Sequence, residues 1–486
     1  MIDQERMPIV EMLIAYEKEN GTPFHMPGHK GGRGFAGLWE DTHLKWDITE
    51  FPGSDNLHDP NGVIWEAQTL AAEAFGAKDT FFLVNGASIG IVAMLLATVE
   101  PGQKVIVSRN CHTSVLSALA LGGIDPIFVM PELDQEHLLM TCTTVEMITQ
   151  VMDENPRAVC VLVPYPNYYG MGFDLKRLAT EVHRRGKLLL VDEAHGAHFP
   201  FHDKLPSSSS VCDVDLWVQS AHKTLPALTQ SAYLHVGTTR VMAARIHRVL
   251  QTLHTTSPSY LLLMSLDWAR HFMAITGQQK LEVLLDRIGR LRRDINEIEG
   301  LHCFGNEWLG RGGVTCLDAT RLVVDVKGIG ISGYEAEEFL RREHEIQIEM
   351  SDWTHIVMIL TVADDDQTLE KLKNALQELS LQKKRWYPSH PFVREFHLPP
   401  LQTIRKISPR QALYSIIEEI PIKVAAGRIA SNSIGIYPPG IPLFCPGEEI
   451  THEGIIYLLE MQQLGCRIFG WLDSRAQTIG VVGACL

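Results

Sequence analysis

The chain lacks long apolar runs, paired cysteine spacings and a surplus of basic charge, and each absence removes a class of function. No run approaches the ~18 consecutive apolar residues of a membrane span, so no crossing is expected. The nine cysteines are scattered without a C-x-x-C or a paired framework. Reduced thiols in a cytosolic protein are therefore expected rather than a disulfide scaffold. The first residues, Met1-Ile-Asp-Gln-Glu-Arg6, carry neither the basic region nor the apolar core of a secretory signal, which again points to the cytoplasm. Lys and Arg number 43 against 58 Asp and Glu, a formal net charge of −15. That balance argues against unspecific nucleic-acid binding and against anionic membranes, and weakly favours the approach of cationic molecules. There are no internal repeats and no low-complexity tract. Histidines are plentiful, 21 in all. Yet the pairs His195/His198 and His25/His29 have no further ligand cluster beside them, so no metal site is expected. The phosphate loop G-x-x-x-x-G-K-[ST] is missing too, which removes a helicase reading of Asp192-Glu-Ala-His195.

What is present is strand-helix alternation. A chain of 486 residues is too long for one ordinary core, so two or three domains are expected. Apolar runs at Thr80–Val84, Lys104–Ser108, Pro126–Met130, Val159–Val163, Lys187–Val191, Leu216–Val218 and Ala232–Val236 read as strands. Amphipathic stretches such as Thr143–Met152 and Leu175–Arg185 lie between several of them. This pattern predicts an α/β fold, a mostly parallel sheet with helices on both faces. An N-terminal helix over residues 8–19 precedes it, followed by the Pro- and Gly-rich loop Thr22–Gly32. After Gly237 come helices at Met242–Leu253, Tyr260–Ile275 and Gln279–Ile298, the last two parted by Gly277, with the final one long enough to bridge two domains. From about Gly300 two strands (Arg321–Val326, Ile356–Thr361) and two helices (Tyr334–Glu343, Gln367–Leu379) predict a small α+β domain. The aromatic, proline-rich Trp386–Phe392 reads as a connector, and Gly435–Glu448 as a rigid loop that shapes a pocket. The expected divisions are 1–60 as helix and arm, 61–300 as the large domain, 301–385 as the small domain and 386–486 as a C-terminal domain.

Two strand ends carry the chemistry. Leu188–Val191 runs into Asp192-Glu-Ala-His-Gly196, and Leu216–Val218 runs into Ser220-Ala-His-Lys223. Buried parallel strands would bring Asp192 and Lys223 into one crevice. An amine and a carboxylate held there suit pyridoxal phosphate, the lysine taking the aldehyde and the aspartate keeping the pyridine nitrogen protonated. Taken singly, a lysine after a strand is more often a surface residue and an Asp at a strand end a helix cap. Asn85-Gly-Ala-Ser-Ile-Gly90, between a strand and a helix, offers backbone N–H groups to a phosphate. His112, at the end of another strand, can stack on a cofactor ring or simply be half-buried.

These motifs together are similar to the bacterial ornithine/lysine/arginine decarboxylases, fold-type I pyridoxal-phosphate enzymes of the aspartate aminotransferase-like kind. The resemblance runs almost end to end. In the first half it is carried by Pro23-Phe-His-Met-Pro-Gly-His-Lys-Gly31, Asp47-Ile-Thr-Glu50, Asn85-Gly-Ala-Ser88, Arg109-Asn-Cys-His112, Tyr168-Tyr-Gly170 and Asp192–Gly196. Ser220-Ala-His-Lys-Thr-Leu-Pro226, Thr256-Ser-Pro-Ser-Tyr260, Tyr437-Pro-Pro-Gly-Ile-Pro442 and Pro446-Gly-Glu448 carry the rest. The chain resembles the short form, without an N-terminal wing domain.

The resemblance implies that Lys223 binds the cofactor covalently, Asp192 partners its ring nitrogen and His112 stacks on the ring. It assigns Ala87, Ser88, Ser220 and His222 to the phosphate and His195 to a place beside the cofactor. Thr255 would reach the phosphate of a partner subunit, which implies a homodimer or larger assembly with shared active sites. Glu448 and Tyr437 resemble the C-terminal element that encloses substrate, and Glu349, Asp352 and Glu448 are acidic candidates for its distal cation. Two departures stand out: Ala87 replaces a threonine common in relatives, and Thr113 a lysine often found after the histidine. The implied activity is decarboxylation of a basic L-amino acid for polyamine synthesis, arginine first, with lysine or ornithine the alternative. Another pyridoxal-phosphate reaction, or a non-catalytic protein on this fold, are the competing readings.

Overall fold

A computed structural model describes residues 3–19, 21–35, 42–137, 139–382, 404–437 and 440–483. Its largest sheet has seven strands: β1 (Asp79–Leu83), β2 (Lys104–Ser108), β3 (Asp125–Val129), β4 (Ala158–Pro164), β5 (Leu188–Asp192), β6 (Leu216–Gln219) and β7 (Ala232–Val236). Their spatial order is β1-β7-β6-β5-β4-β2-β3. β2 runs parallel to β3 and β4, and β5 parallel to β6. These strands are apolar on both faces, as strands covered on both sides must be. β7 departs from the parallel pattern and runs antiparallel to both β6 and β1. The physical reason is the link before it. Ser220–Ser231 contains only a one-turn helix, Ala221–Thr224, too short for the crossover a parallel return requires. The mostly parallel α/β expectation therefore holds, with this exception.

The chain forms two compact units, one drawn from Met1–Thr98, Leu175–Val283 and Thr361–Ala363, the other from Val99–Asp174, Leu284–Leu360 and Asp364–Leu486. In the first unit, α1 (Pro8–Glu19), α2 (Val63–Phe75) and α3 (Gly86–Thr98) accompany β1, β5, β6 and β7. α3 sits unusually close to the strands because of Gly90. A Cβ there would lie 2.7 Å from both Leu83 Cδ1 and Val218 Cγ2, closer than packed atoms allow. The helices expected to part at Gly277 instead continue. Tyr260–Phe272 passes through a π turn, Met273–Gly277, into Gln278–Asn296. A Cβ at Gly277 would meet only the flexible end of Met273, Cε at 3.0 Å. A widened turn inside a helix tolerates such a residue without ending it.

In the second unit, α4 (Thr113–Gly122) follows β2 and α5 (Val145–Glu154) precedes β4. The α+β segment is a four-stranded antiparallel sheet, ordered His302–Cys303, Arg321–Asp325, His355–Ile359, Met350–Ser351. Its two helices, Gly333–His344 and Asp366–Leu381, both start in capping boxes, Ser332 with Glu335 and Asp365 with Thr368. Further on, two three-stranded sheets and the helix His452–Gln463 close over Ile434, Phe444, Ile450, Leu458, Ile479 and Val481. Within them Ile434–Tyr437 and Pro442–Phe444 are paired strands, where the sequence suggested a loop. Pro442 is compatible because its strand lies at the sheet edge. The connector Trp386–Phe392 lies outside the described residues, as do Pro438 and Pro439. Among the described residues no cysteine is in a disulfide, and all of them but Cys316 are buried. Among the described residues no helix is long and apolar enough to cross a membrane.

Candidate active site

In the first unit β5 and β6 lie side by side in register, with Asp192 opposite Val218. The chain leaves each strand immediately afterwards, so the two turns that follow are neighbours. They are tied twice: Ser220 N–H donates to Ala194 O at 3.3 Å, and Lys223 Nζ lies 3.0 Å from His195 Nε2. A lysine ammonium has only donors, so it places the imidazole lone pair on Nε2 and the ring proton on Nδ1. Asp192 is buried and accepts Ala194 N–H at 3.2 Å through Oδ1.

A third turn joins these two. Gly86, at φ 70°, opens α3 directly after β1, and its N–H donates to Gln230 O at 2.8 Å. The next residue, Ser231, accepts His222 N–H through its carbonyl and lies 2.9 Å from His222 Nδ1. The start of α3 and the Ser220–Lys223 turn are thereby held to one short segment, Gln230 and Ser231, that leads into β7. First-turn N–H groups of a helix have no intrahelical acceptor, and α3 has no acidic side chain in that turn to compete for its dipole. Ala87 there is buried and Ser88 exposed. Ala87 brings no hydroxyl, which leaves its N–H and the Ser88 hydroxyl as the donors these two residues carry.

Pyridoxal phosphate asks for an amine, a carboxylate and phosphate donors, and Lys223, Asp192 and the α3 start with Ser88, Ser220 and His222 supply all three within one unit. The residues fit the group. Thr255 is exposed; its carbonyl lies 2.8 Å from His58 Nε2. That contact gives the loop Phe51–His58 a fixed seat.

Beneath the Asp192 turn lies a polar chain that sequence reading missed. Glu193 is fully buried and accepts Ser209 N–H at 2.9 Å and Gln219 Nε2 at 2.8 Å. Gln219 Oε1 lies 3.1 Å from His235 Nε2, and His235 Nδ1 lies 2.8 Å from Thr80 Oγ1. Burial pushes the Glu193 carboxyl up to about 8, against the two donors that favour its charge. Burial also holds the His235 imidazole down to about 3. Both groups are therefore neutral at pH 7. The folded state binds the Glu193 proton more tightly than the unfolded chain does, so stability falls as pH rises from 4.5 towards 8. Glu193→Gln should flatten that fall, read as a melting temperature that changes less across this range than in the parent. His235 works in the other direction, since stability is lost as pH drops below 6.5 towards 3.

In the second unit, His112 caps α4. Its Nδ1 accepts Ser114 N–H at 3.2 Å, which fixes the lone pair on Nδ1 and leaves Nε2 to carry a hydrogen. The ring is exposed. Three residues before it, Arg109 makes a fork-to-fork pair with Glu448: Nη1 to Oε1 at 2.6 Å and Nη2 to Oε2 at 2.7 Å, both side chains 2 % exposed. Both Glu448 oxygens are thus engaged. Asp352 is similarly occupied, accepting Tyr169 OH at 2.8 Å and facing His355 Nδ1 at 3.0 Å. Glu349 and Tyr437 are exposed. Arg109 stood in a quoted motif, but its partner lies too far along the chain for any local pattern to reveal.

Models of the family described as "Orn/Lys/Arg decarboxylase" match the chain in two parts, the major domain over residues 7–368 and the C-terminal domain over residues 397–473. An arginine decarboxylase of Halalkalibacterium halodurans is 38 % identical over 486 residues, covering 99 % of both chains. One of Bacillus subtilis is 38 % identical over 485 residues, again covering 99 % of each. A lysine decarboxylase of Pseudomonas aeruginosa is 23 % identical, over 96 % of this chain and 77 % of its own. Among solved structures, a lysine decarboxylase of Francisella novicida superposes with a TM-score of 0.85 at 19 % identity, over 98 % of this chain and 81 % of its own. A ureidoglycine-glyoxylate aminotransferase of Bacillus subtilis superposes at 0.55 and 15 % identity, over 67 % of this chain and 86 % of its own. The last two establish the fold-type I architecture.

Proposed function

Because the chain belongs to the ornithine/lysine/arginine decarboxylase family, we propose that it converts L-arginine to agmatine and CO2 with pyridoxal phosphate. The choice of arginine rests on one observation: identity to arginine decarboxylases is 37–38 % in four relatives, against 22–23 % to lysine decarboxylases. The cofactor, when bound, supplies an electron sink for the pair released with the carboxylate. The rest falls to the chain. Lys223 holds the cofactor through its amine and, with His195 Nε2 at 3.0 Å, keeps a proton at Nζ for return to Cα. Asp192 fixes a negative charge for the ring nitrogen, which raises that nitrogen's proton affinity.

The N–H groups that open α3, with Ser88, Ser220 and His222, hold the phosphate. His112 stacks on the ring, as the family motif implies, with its Nδ1 already committed to α4. Glu349 is offered to the substrate's distal cation, and Tyr437 helps enclose the substrate. Thr255 completes the phosphate site of a second copy, so the working form is a homodimer or larger, and its location is the cytoplasm. The test is CO2 release from purified, cofactor-loaded protein given arginine, lysine and ornithine separately, with products identified by mass. Agmatine is expected. Cadaverine or putrescine as the main product would reassign the substrate, and no CO2 from any of the three would overturn the proposal.

A further inference from the structure

The Arg109–Glu448 pair lies in the second unit at the turn that carries His112. Arg109 N–H donates to Val129 O at 2.8 Å, so the residue continues the β2–β3 pairing past the end of β2. Its guanidinium stacks over the Phe128 ring at 4.6 Å and donates through Nη2 to Leu443 O at 3.0 Å. Glu448 in turn accepts Cys445 N–H at 2.7 Å. The guanidinium is therefore gripped on three sides, by a ring from β3, by a carbonyl of the strand Pro442–Phe444 and by a bidentate carboxylate. Three residues on, His112 ends the turn and begins α4. A charge pair this deeply buried adds little net stability compared with an apolar substitute. What it does supply is a fixed direction, because fork-to-fork geometry tolerates little rotation.

We propose that Glu448 is a positioning residue: through Arg109 it sets the seat of the His112 imidazole, so that the C-terminal segment Pro442–Glu448 determines how the cofactor ring is stacked. Glu448 acts on the ring of His112 and not on the substrate. The inference rests on the reading that His112 stacks on the cofactor.

The test is a double-mutant cycle on cofactor-loaded protein with His112→Ala, Glu448→Gln and the pair. Three quantities are followed: affinity for pyridoxal phosphate, induced circular dichroism of the bound cofactor, and KM and kcat for arginine. Glu448→Gln keeps the shape and removes the charge. It should weaken cofactor affinity and kcat roughly ten- to hundredfold, taking as a guide the loss on removing the partner that orients a metal-bound histidine, and should diminish the dichroism with KM little changed. In the double variant the loss should not exceed that of His112→Ala alone, since groups acting through one another are not additive. Glu448→Asp, which keeps the charge, should recover part of the dichroism, and it serves in the cycle should Glu448→Gln not fold. Multiplying losses, or a rise confined to KM, would overturn the proposal, the second outcome making Glu448 a substrate group. If His112→Ala itself leaves dichroism and affinity unchanged, the stacking role of His112 fails. That failure is read from a different variant than the failure of Glu448.

Discussion

Lys223→Ala is expected to reduce CO2 release from arginine to background and to abolish the visible absorption of the lysine-linked cofactor. The amine is the only group on the Ser220–Thr224 turn able to bond an aldehyde, and it faces His195 Nε2 at 3.0 Å. Removing it deletes both the covalent anchor and the proton held at Nζ. The side chain is only partly buried, so the fold should survive, and a melting curve close to that of the parent is the control. Cofactor should still bind through its phosphate and be lost on dialysis. Persisting CO2 release at the parent rate would remove Lys223 from the chemistry and with it the assignment of the site.

Asp192→Asn is expected to have the second largest effect, lowering kcat on the order of 10²–10³-fold, the scale for losing one preorganised charge interaction. The amide oxygen still accepts Ala194 N–H, which Asp192 Oδ1 does at 3.2 Å, so the turn keeps its shape. Only the fixed negative charge is gone, and with it the force that keeps the ring nitrogen protonated. The signature is a fall in kcat with the cofactor still covalently held. An unchanged kcat would make Asp192 a turn cap and nothing more.

Both residues were visible in the sequence because each is an ionisable group at the end of an apolar run, and a parallel sheet gathers such ends. The strands themselves were legible for the same reason: β2, β4, β5 and β6 are apolar on both faces, so their sequences stand out from what flanks them. The direction of β7 was less so, as it depends on the length of the Ser220–Ser231 link and not on any strand residue. Ile434–Tyr437 and Pro442–Phe444 were hidden by the prolines and glycine between them, which read as loop until pairing partners exist. Gly277 misled in the opposite sense, since a helix breaker by propensity lies here in a π turn through which the helix continues. Glu193 was overlooked beside Asp192, although alternation along β5 turns the two away from one another. Glu193 faces Ser209 and Gln219 instead. The Arg109–Glu448 pair was out of reach for a plain reason: no pattern in a single chain links residues 339 positions apart.

That separation also has a meaning in time. During synthesis at ~5–20 residues per second, the 339 positions from Arg109 to Glu448 take roughly 17–68 s to appear. Throughout that interval the guanidinium has no carboxylate, and an unpaired charge is held in water because burying it alone is too costly. The turn before α4 therefore stays open while the strands around it already have their neighbours. It closes only once Glu448 has been made. If Glu448 seats His112 as proposed, a nascent protein that has made Lys223, Asp192 and His112 still waits for residue 448 before its cofactor site is set.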